Sequence, residues 1–360
     1  MIKTSQPIIG EQEFENVRNV LQSGQLVQGK FVKEFEDKFA KFIGTKYAIA
    51  TNSGTSALHL ALQTIGVKDK EVIIPAITFF ATIEAVVHAG GIPVFADINS
   101  DTYNIDPNSV SKLITDKTRA VVPVHLYGLP CDMYGLYDVV PNNTIIIEDA
   151  CQAHGAEFED KKCGNLGEAG VFSFYATKHI TTGEGGMITT NNQVMADTAR
   201  MLRNHGMTGY NSHQEIGYNY RMSEISGAIG TVQVDRLQMF IHVREAIAHL
   251  YTKHLKEKKG FGVPIVPEYV TQHAWFWYPL RVFTTDLGMS IEELKTLLKE
   301  KDIEVRNRRN LCTEHPAVKP YHPKKCPIAE SIAGNIIGLP IHPGMTLEEA
   351  IHVVNTIKNI

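Results

Sequence analysis

The chain has 360 residues, 43% of them hydrophobic and 21% charged, so it is long enough to bury the cores of two ordinary domains. A formal net charge of −4 argues against a nucleic-acid-binding surface or a polybasic membrane anchor and favours a small-molecule partner. The five cysteines form no Cys-x-x-Cys pair, which argues against a disulfide framework and a structural metal site. The N-terminus lacks an apolar signal core and no segment has the ~18 uninterrupted apolar residues of a membrane span, so we expect a cytoplasmic protein.

The first half of the chain predicts strands and helices in alternation. Several intervals between apolar segments, such as 56–65 and 82–89, have helical apolar spacing. Strands that are apolar on both faces indicate a sheet covered by helices on each side, so this pattern predicts an α/β domain with a mostly parallel sheet. The predicted strands are 47–50, 72–74, 92–96, 120–124, 144–147, 171–174 and 187–189.

A longer helical pattern runs from Ser223 to about Leu255, after which lysine, glycine and proline residues break it. We therefore predict a large domain over residues 1–240 and a smaller α+β domain over residues 241–360, joined by the long helix. In the smaller domain the sequence predicts a Trp/Tyr-rich strand at 276–283, a helix opening at Ser290 with Glu293 as capping-box partner, and a closing helix after Thr346 with Glu349.

Lys178 is the leading catalytic candidate. It lies between the apolar segment 171–174 and a glycine-rich turn. Burial disfavours the charged form of a lysine, which makes the neutral amine needed for a Schiff base more available, as in pyridoxal phosphate enzymes. Most lysines are solvated surface residues, so the interpretation depends on the neighbouring motifs.

Two carboxylates, Glu148 and Asp149, end an apolar strand, and ligands of open α/β sheets bind beyond the carboxyl ends of strands. We choose Asp149 as the partner of a cofactor's protonated pyridine nitrogen because it comes last in the strand, although one residue of register decides the choice. Gln152 lies three residues on and can reach the same side, where it would bond a ring hydroxyl. The alternative is a helix-capping aspartate followed by a solvated glutamine.

Other segments are open to two interpretations. The turn 52–55 precedes a helix and predicts either a phosphate site or an ordinary N-cap. Phe79 follows a strand and either stacks on a cofactor ring or belongs to the core. Ser173 can offer a hydroxyl to phosphate, and the glycines after Lys178 allow close backbone approach or simply form a turn.

Taken together, these motifs resemble those of the DegT/DnrJ/StrS sugar aminotransferases. The resemblance spans nearly the whole chain, and six ordered motifs at compatible spacing are far more specific than any one of them. The motifs are SGT at 53–55, PAITFFAT at 75–82, EDACQAHG at 148–155, FSFYATKHITTGEGG at 172–186, GYNYRM at 217–222 and LPIHPG at 339–344.

The resemblance implies the aspartate aminotransferase fold, which is fold type I of the pyridoxal phosphate enzymes, in a homodimer whose active sites lie at the subunit interface. It implies that Lys178 forms the internal aldimine, Asp149 pairs with the pyridine nitrogen and Gln152 contacts the ring hydroxyl. By the same resemblance Phe79 stacks on the ring, and Asn219 or Arg221 reaches the phosphate from the partner subunit. The implied phosphate contacts within the chain are Gly54, Thr55 and Ser173.

The implied reaction is ping-pong transamination from L-glutamate to a keto sugar carried on a nucleoside diphosphate. The form of the lysine loop at 181–186, together with the motif at 217–222, is similar to members that aminate C4 of a 4-keto-6-deoxyhexose, of the perosamine or viosamine type. One alternative is the branch that dehydrates its sugar with a histidine in place of the lysine, but the spacing of five from Ser173 reaches Lys178 rather than His179. The other is a non-catalytic, cofactor-binding regulatory protein.

Candidate substrate contacts are the least specific part of the sequence. Guanidinium groups near residue 306 can bind a nucleoside diphosphate, or they belong to a solvated basic turn. His125 follows a strand and either faces the cofactor or is a hydrogen-bonded structural histidine. The candidate substrate-binding residues are His154, Arg306, Arg308, His315 and Tyr321.

Overall fold

The computed structural model describes residues 1–307 and 311–360. The strands of these residues are β1 (Tyr47–Thr51), β2 (Glu71–Pro75), β3 (Ile92–Ala96), β4 (Thr118–Val121), β5 (Ile145–Asp149), β6 (Glu157–Phe158), β7 (Lys161–Lys162), β8 (Ala169–Ser173), β9 (Gly186–Thr190), β10 (Met207–Gly209), β11 (Ser212–His213), β12 (Phe261–Gly262), β13 (Val270–Gln272), β14 (Tyr278–Val282) and β15 (Ile336–Leu339). The helices are α1 (Glu11–Ser23), α2 (Lys30–Ile43), α3 (Gly54–Ile65), α4 (Ala81–His88), α5 (Pro107–Ser111), α6 (Met133–Val139), α7 (Gln193–Arg203), α8 (Glu224–Leu255), α9 (Thr284–Leu287), α10 (Ile291–Glu300), α11 (Pro327–Ile332) and α12 (Leu347–Lys358).

A seven-stranded sheet in the order β1-β9-β8-β5-β4-β2-β3 forms the centre of the fold. Strands β8, β5, β4, β2 and β3 are parallel, whereas β9 runs antiparallel to both of its neighbours. The prediction of an α/β fold with a mostly parallel sheet is therefore confirmed. The seven predicted strands correspond to the seven strands of this sheet, with ends that differ by a few residues.

The sheet is covered on both faces, as its apolar strands predict. In β2, Val72 and Ile74 pack into one apolar cluster with α3 and α4, while Ile73 packs into another cluster that includes Met133 of α6. Side chains of a strand alternate between the two faces, so a strand can be apolar throughout only if both faces are buried.

Three strands bring their carboxyl ends to one edge of the sheet. Strand β9 is antiparallel to β1 and to β8, so β1 and β8 run in the same direction as β5. Thr51 at the end of β1 and Ser173 at the end of β8 both pair with Gly186 of β9, and Asp149 ends β5 next to Val171. The loops that carry the site motifs therefore meet at this edge.

The register of β5 distinguishes Glu148 from Asp149. Glu148 is fully buried on the face opposite to Asp149, and its two carboxylate oxygens accept four hydrogen bonds. The imidazole of His125 is a donor in this set, since its Nδ1 accepts the amide hydrogen of Cys131 and the hydrogen of a neutral ring must then lie on Nε2. The four donors are His125 Nε2 at 2.9 Å and the backbone nitrogens of Gly164, Leu166 and Gly167, each at 2.7 Å.

The C-terminal part of the chain builds a second, smaller sheet from β12, β14 and β15. Ile2 packs into the same apolar cluster as residues of α10 and α12, and α8 crosses the predicted boundary at residue 240 without a break. The domain boundaries at 1–240 and 241–360 stay a prediction. The structure adds that Ile2, at the N-terminus, packs against the smaller predicted domain. No helix within the described ranges pairs the length of a bilayer with the apolar composition that crossing one requires.

Element ends in this part follow local chemistry. The helices that open at Ser290 and Thr346 form as predicted, each with a complete capping box. The strand predicted over 276–283 is shorter in the structure, where β14 spans Tyr278–Val282. Trp275 has a φ of 51°, which is incompatible with an extended strand, and the residues after it turn towards the sheet edge instead.

We predict that Glu148→Gln lowers the free energy of unfolding by about 3 kcal/mol, because the new amide nitrogen would face hydrogen-bond donors and leave buried groups unpaired. Guanidinium denaturation followed by circular dichroism measures this change. Glu257→Gln is the matched control, since its side chain is 88% exposed. Equal stability of the two variants would show that the Glu148 network does not hold the strand.

Candidate active site

A cavity of about 420 Å³ lies at the sheet edge where β1, β5 and β8 end. Its walls come from the turn before α3, the segment before α4, the loop that carries Lys178 and residues just before β14. The lining residues are Ser53, Gly54, Thr55, Leu58, Thr78, Phe79, Ala81, Thr82, Tyr127, Asp149, Cys151, Gln152, Ser173, Tyr175, Thr177, Lys178, Glu184, Phe276, Trp277 and Arg306.

Asp149 presents a largely buried carboxylate to this cavity. Its Oδ2 accepts the hydroxyl hydrogen of Thr82 at 2.9 Å, and Thr82 in turn lies 2.9 Å from the Thr78 hydroxyl. The amide of Cys151 donates to Oδ1 at 3.2 Å. These bonds fix the orientation of the carboxylate, so the choice of Asp149 over Glu148 as the residue facing the site agrees with the geometry.

The turn before α3 lies against the end of β8 at very short range. Ser53 caps the helix by accepting the amide hydrogen of Ser56, which leaves the amides of Gly54 and Thr55 in the first turn without an acceptor in the helix. A Cβ on Gly54 would lie 2.7 Å from the Cβ of Ser173, and a Cβ on Gly186 would lie 2.2 Å from the Ser53 carbonyl oxygen. Both glycines are therefore required for this approach, which makes a cradle of backbone amides and hydroxyls suited to a phosphate.

Lys178 lies in a turn five residues after the end of β8 rather than at the strand end. Its amide donates to the Tyr175 carbonyl at 2.9 Å, and its ammonium lies 4.6 Å from the centre of the Phe276 ring. An aromatic face attracts a cation and excludes water, so Phe276 both orients the amine and lowers its access to solvent. Lys178 and Asp149 thus face the same cavity from different walls.

Gln152 is held by a strained turn. Its Oε1 accepts the amide hydrogen of Tyr127 at 2.9 Å, and Tyr127 has a φ of 57°. The Tyr127 ring stacks on Trp277 with 5.6 Å between centres. This bond anchors the carbonyl oxygen, and the amide hydrogens of Gln152 can donate to a ligand in the cavity.

Phe79 lines the cavity with 56% of its surface exposed. This exposure agrees with an aromatic side chain that stacks on a bound ring and not with a core residue. Asn219 is exposed and does not line the cavity of its own chain; its backbone bridges to Asn204, whose side chain accepts from Arg221 at 2.6 Å. A contribution of Asn219 or Arg221 to a partner subunit stays a prediction.

The candidate substrate contacts separate into three groups. Arg306 lines the cavity, with its guanidinium 6.0 Å from the Trp277 ring. His315 packs on Phe80 at 5.0 Å and Tyr321 packs against the main core, and neither lines the cavity. Arg308 lies outside the described residues, so the structure does not test that prediction.

The prediction that His154 contacts substrate must be corrected. The residue is fully buried and packs against Phe172 and Phe174, behind the sheet edge. Its Nδ1 lies 3.3 Å from Nδ1 of His179, whose Nε2 donates to the Ala274 carbonyl at 2.9 Å. Since a carbonyl only accepts, His179 Nδ1 is the acceptor of this pair and His154 Nδ1 the donor. The two histidines tie the Lys178 loop to residue 274.

His125 is likewise structural, through its bond to Glu148. His125, Glu148 and Cys163 place one potential ligand atom each within 4.8 Å of the others, which is a spacing that a metal ion can use. The Glu148 oxygens already accept four hydrogen bonds, however, and burial raises the pKa of the Cys163 thiol, so this group is better described as a buried hydrogen-bond network.

Sequence reasoning missed several residues of the site. Thr82 and Thr78 orient Asp149. Both fall within the motif 75–82, in which the sequence interpretation singled out Phe79. Phe276 and Trp277 look like strand residues in sequence and form the wall opposite the sheet. The one local signal near this wall is Gly128, which indicates a turn at Tyr127, the residue that stacks on Trp277.

We predict that His154 makes stability depend on pH below neutrality. Burial lowers the pKa of His154 from 6.5 to about 3, so between these values the unfolded chain binds a proton that the folded chain does not. Stability therefore falls as pH decreases, by about 1.4 kcal/mol per pH unit for one proton. His154→Gln should make this slope shallower by that amount.

Denaturation of wild type and His154→Gln at several pH values between about 4 and 6 measures the slope directly. The exposed His249→Gln is the control, and its slope should match that of wild type. A His154→Gln slope equal to that of wild type would show that the imidazole is charged in the folded protein.

The residues of the cavity fit the cofactor that the sequence implies. The Gly54 cradle suits its phosphate, the Asp149 carboxylate suits its pyridine nitrogen, and the Lys178 amine suits its aldehyde. These three groups together match the phosphate, the pyridine nitrogen and the aldehyde of pyridoxal phosphate.

Comparison with known proteins agrees with this fit. The model of the DegT/DnrJ/EryC1/StrS aminotransferase family matches residues 7–358. A GDP-perosamine synthase of Caulobacter vibrioides is 36% identical over 341 residues, which are 92% of this chain and 90% of the relative. PseC of Helicobacter pylori, an aminotransferase of pseudoaminic acid biosynthesis, superposes with a TM-score of 0.93 at 28% identity, with 99% of this chain and 98% of that chain covered.

A GDP-4-keto-6-deoxymannose-3-dehydratase with a trapped PLP-glutamate geminal diamine superposes equally well, with a TM-score of 0.93 at 27% identity over 99% of this chain and 100% of that chain. The prediction of a fold type I enzyme with pyridoxal phosphate as cofactor is thereby confirmed. From its motifs, its fold and its cavity, the chain belongs to the DegT/DnrJ/EryC1/StrS aminotransferase family.

Proposed function

We propose that this enzyme moves an amino group from L-glutamate to C4 of a nucleotide-linked 4-keto-6-deoxyhexose by a ping-pong mechanism. The observation that carries the proposal is the placement of Lys178 and Asp149 in the walls of one cavity, with a phosphate cradle at the N-terminus of α3. The similarity to GDP-perosamine synthases of three organisms, at 31% to 36% identity, supports a nucleotide sugar as the acceptor.

Bound pyridoxal phosphate supplies an electron sink and a carrier for the amino group. Asp149 provides the negative charge that keeps its pyridine nitrogen protonated, and Thr82 holds that carboxylate in place. The amide hydrogens of Gln152 would donate to the ring hydroxyl, and Phe79 would cover one face of the ring. Asp149 ends β5 and Gln152 follows it by three residues, so the end of one strand would supply contacts to both the nitrogen and the hydroxyl of the ring.

Gly54, Thr55 and Ser173 bind the phosphate. Two backbone amides at the start of α3 and the positive end of the helix dipole favour a dianion there. This arrangement requires that no side chain fill the space between the turn and β8. Ser173 ends β8 and Lys178 follows it by five residues, so the strand end and the turn after it would hold the phosphate and the amine close together.

Lys178 is the general acid and base. With the cofactor bound, the amine of Lys178 would be the group that attaches to it and, once released, the group that carries the proton of the transfer. The Phe276 face orients this amine in the cavity. Both half-reactions use the same lysine, so one residue serves donor and acceptor.

The substrate side of the cavity is built around Arg306. Its guanidinium suits the diphosphate of a nucleotide sugar, and the neighbouring Trp277 limits its orientation. The exposed residues Tyr175 and Glu184 line the cavity on the other side and can contact sugar hydroxyls. We further propose a homodimer in which Asn219 or Arg221 of one chain completes the phosphate site of the other.

We predict that Gly54→Ala weakens the affinity for pyridoxal phosphate by tenfold or more, because the new methyl group would lie 2.7 Å from Ser173 Cβ and displace the cradle. Spectroscopic titration of the apoprotein with the cofactor measures the affinity. Gly209→Ala is the control, since the nearest atom to its new methyl group lies 4.0 Å away. Unchanged affinity in Gly54→Ala would place the phosphate elsewhere.

We predict that Lys178→Ala abolishes the absorbance band of the lysine-bound cofactor and the response to L-glutamate, since no other group replaces the amine. The exposed Lys41→Ala, as control, should retain both. Retention of the band in Lys178→Ala would overturn the assignment of the catalytic lysine.

The acceptor is tested with purified enzyme, L-glutamate and a panel of 3-keto and 4-keto nucleotide sugars, with products identified by mass spectrometry and NMR. We expect amination at C4 of a 4-keto-6-deoxy sugar. Amination of a 3-keto sugar alone would overturn the regiochemistry, and release of a deoxygenated sugar would favour the dehydratase reaction.

A further inference from the structure

A buried guanidinium lies in the middle of the longest helix. Arg244 of α8 is 2% exposed, and the partners of its side chain among residues 1–307 and 311–360 are carbonyl oxygens rather than carboxylates. Burial lowers its pKa to about 9, which still leaves it charged at neutral pH. A buried charge without a counter-ion is costly, so carbonyl dipoles must offset it and the site must be built for it.

The carbonyls that bind Arg244 come from two separate segments. Its Nη1 donates to Trp275 at 3.0 Å, to Phe276 at 3.4 Å and to Ile341 at 2.8 Å. Trp275 and Phe276 precede β14 and lead into the cavity wall, whereas Ile341 follows β15 in the motif 339–344. Arg244 thus joins the helix, the wall and the end of the smaller sheet at one point.

The same wall is also held by other groups. His179, the neighbour of Lys178, donates to the Ala274 carbonyl at 2.9 Å, so the carbonyls of three consecutive residues are bound by buried side chains. The amides of Ala274 and Phe276 donate to the carbonyls of Gly128 and Tyr127 at 3.0 and 2.8 Å. The left-handed backbone of Trp275, with its φ of 51°, persists within this set of bonds.

This wall contacts the reacting end of the site. The Phe276 ring lies under the Lys178 ammonium at 4.6 Å, and Trp277 stacks on Tyr127, whose amide donates to Gln152. A displacement of residues 275–277 would therefore move the support of Lys178 and of Gln152 together.

We infer that Arg244 is a positioning residue for Lys178: by binding the carbonyls of Trp275, Phe276 and Ile341, it fixes the aromatic wall on which the lysine amine lies. This inference rests on the role proposed for Lys178. All three carbonyls are bound by Nη1, whereas Nε is buried without a hydrogen-bond partner among the described residues, so one nitrogen at the tip of a long side chain holds the wall. A lysine would keep the charge but has a compact ammonium in place of the planar guanidinium, so we expect it to hold these carbonyls less well.

The chain offers a direct probe of this wall, because its two tryptophans are Trp275 and Trp277. Both are buried, so their fluorescence emission reports on the solvent exposure of the wall without any turnover. We expect Arg244→Met to shift the emission to longer wavelength, weaken quenching by added pyridoxal phosphate, and lower kcat of the glutamate half-reaction tenfold or more. Arg244→Lys should show the same changes to a smaller extent and serves if the methionine variant fails to fold.

Tyr251→Phe is the matched control. Tyr251 lies seven residues later on the same face of α8 and donates to the Pro340 carbonyl at 2.8 Å, next to Ile341, but it does not bind the wall. This variant should lose stability while keeping the wild-type emission and kcat. The inference is overturned if folded Arg244 variants keep the wild-type emission and kcat, or behave like Tyr251→Phe.

The role of Lys178 and the positioning role of Arg244 can be tested separately. If Lys178→Ala keeps the absorbance of the lysine-bound cofactor, the role of Lys178 fails, whatever the emission of the Arg244 variants. If Lys178→Ala loses the band while Arg244→Lys matches wild type in emission and in kcat, the catalytic lysine stands and the positioning role of Arg244 fails.

Discussion

The buried carboxylate of Glu148 fixes the register on which the site depends. Four donors surround it, and because strand side chains alternate between faces, its position sends Asp149 to the opposite side, into the cavity. A slip of one residue would bury Asp149 and aim Glu148 at the cofactor. The network therefore decides which of two adjacent acids faces the cavity, although its own bonds lie on the other face of the strand.

A second constraint is the close approach of backbone to backbone at the phosphate end. Gly54 and Gly186 have no room for a side chain, so β1, β8 and β9 can meet the start of α3 at distances that only glycine permits. Gly54 and Thr55, in the first turn of the helix that Ser53 caps, line the cavity. The motif glycines are thus needed for space rather than for flexibility.

The third constraint comes from residues 275–277, which lie about 100 residues after the Lys178 loop. The wall opposite the sheet is made by residues 275–277, and it is held by the long helix, by the Lys178 loop and by the turn at Tyr127. Its contact with Lys178 joins this wall to the loop that follows β8. In this chain the cavity is therefore lined by segments that are distant in sequence.

Local patterns in the sequence determined the α/β class, the seven strands of the main sheet, the capping boxes at Ser290 and Thr346, and the motifs that gather at the sheet edge. These follow from periodicity and turn chemistry, which act over a few residues. Tertiary structure alone decided the register of Glu148 and Asp149, the burial of His154 behind the site, and the wall formed by Phe276 and Trp277. Each of these depends on contacts between residues far apart in the chain, and no local pattern encodes such contacts.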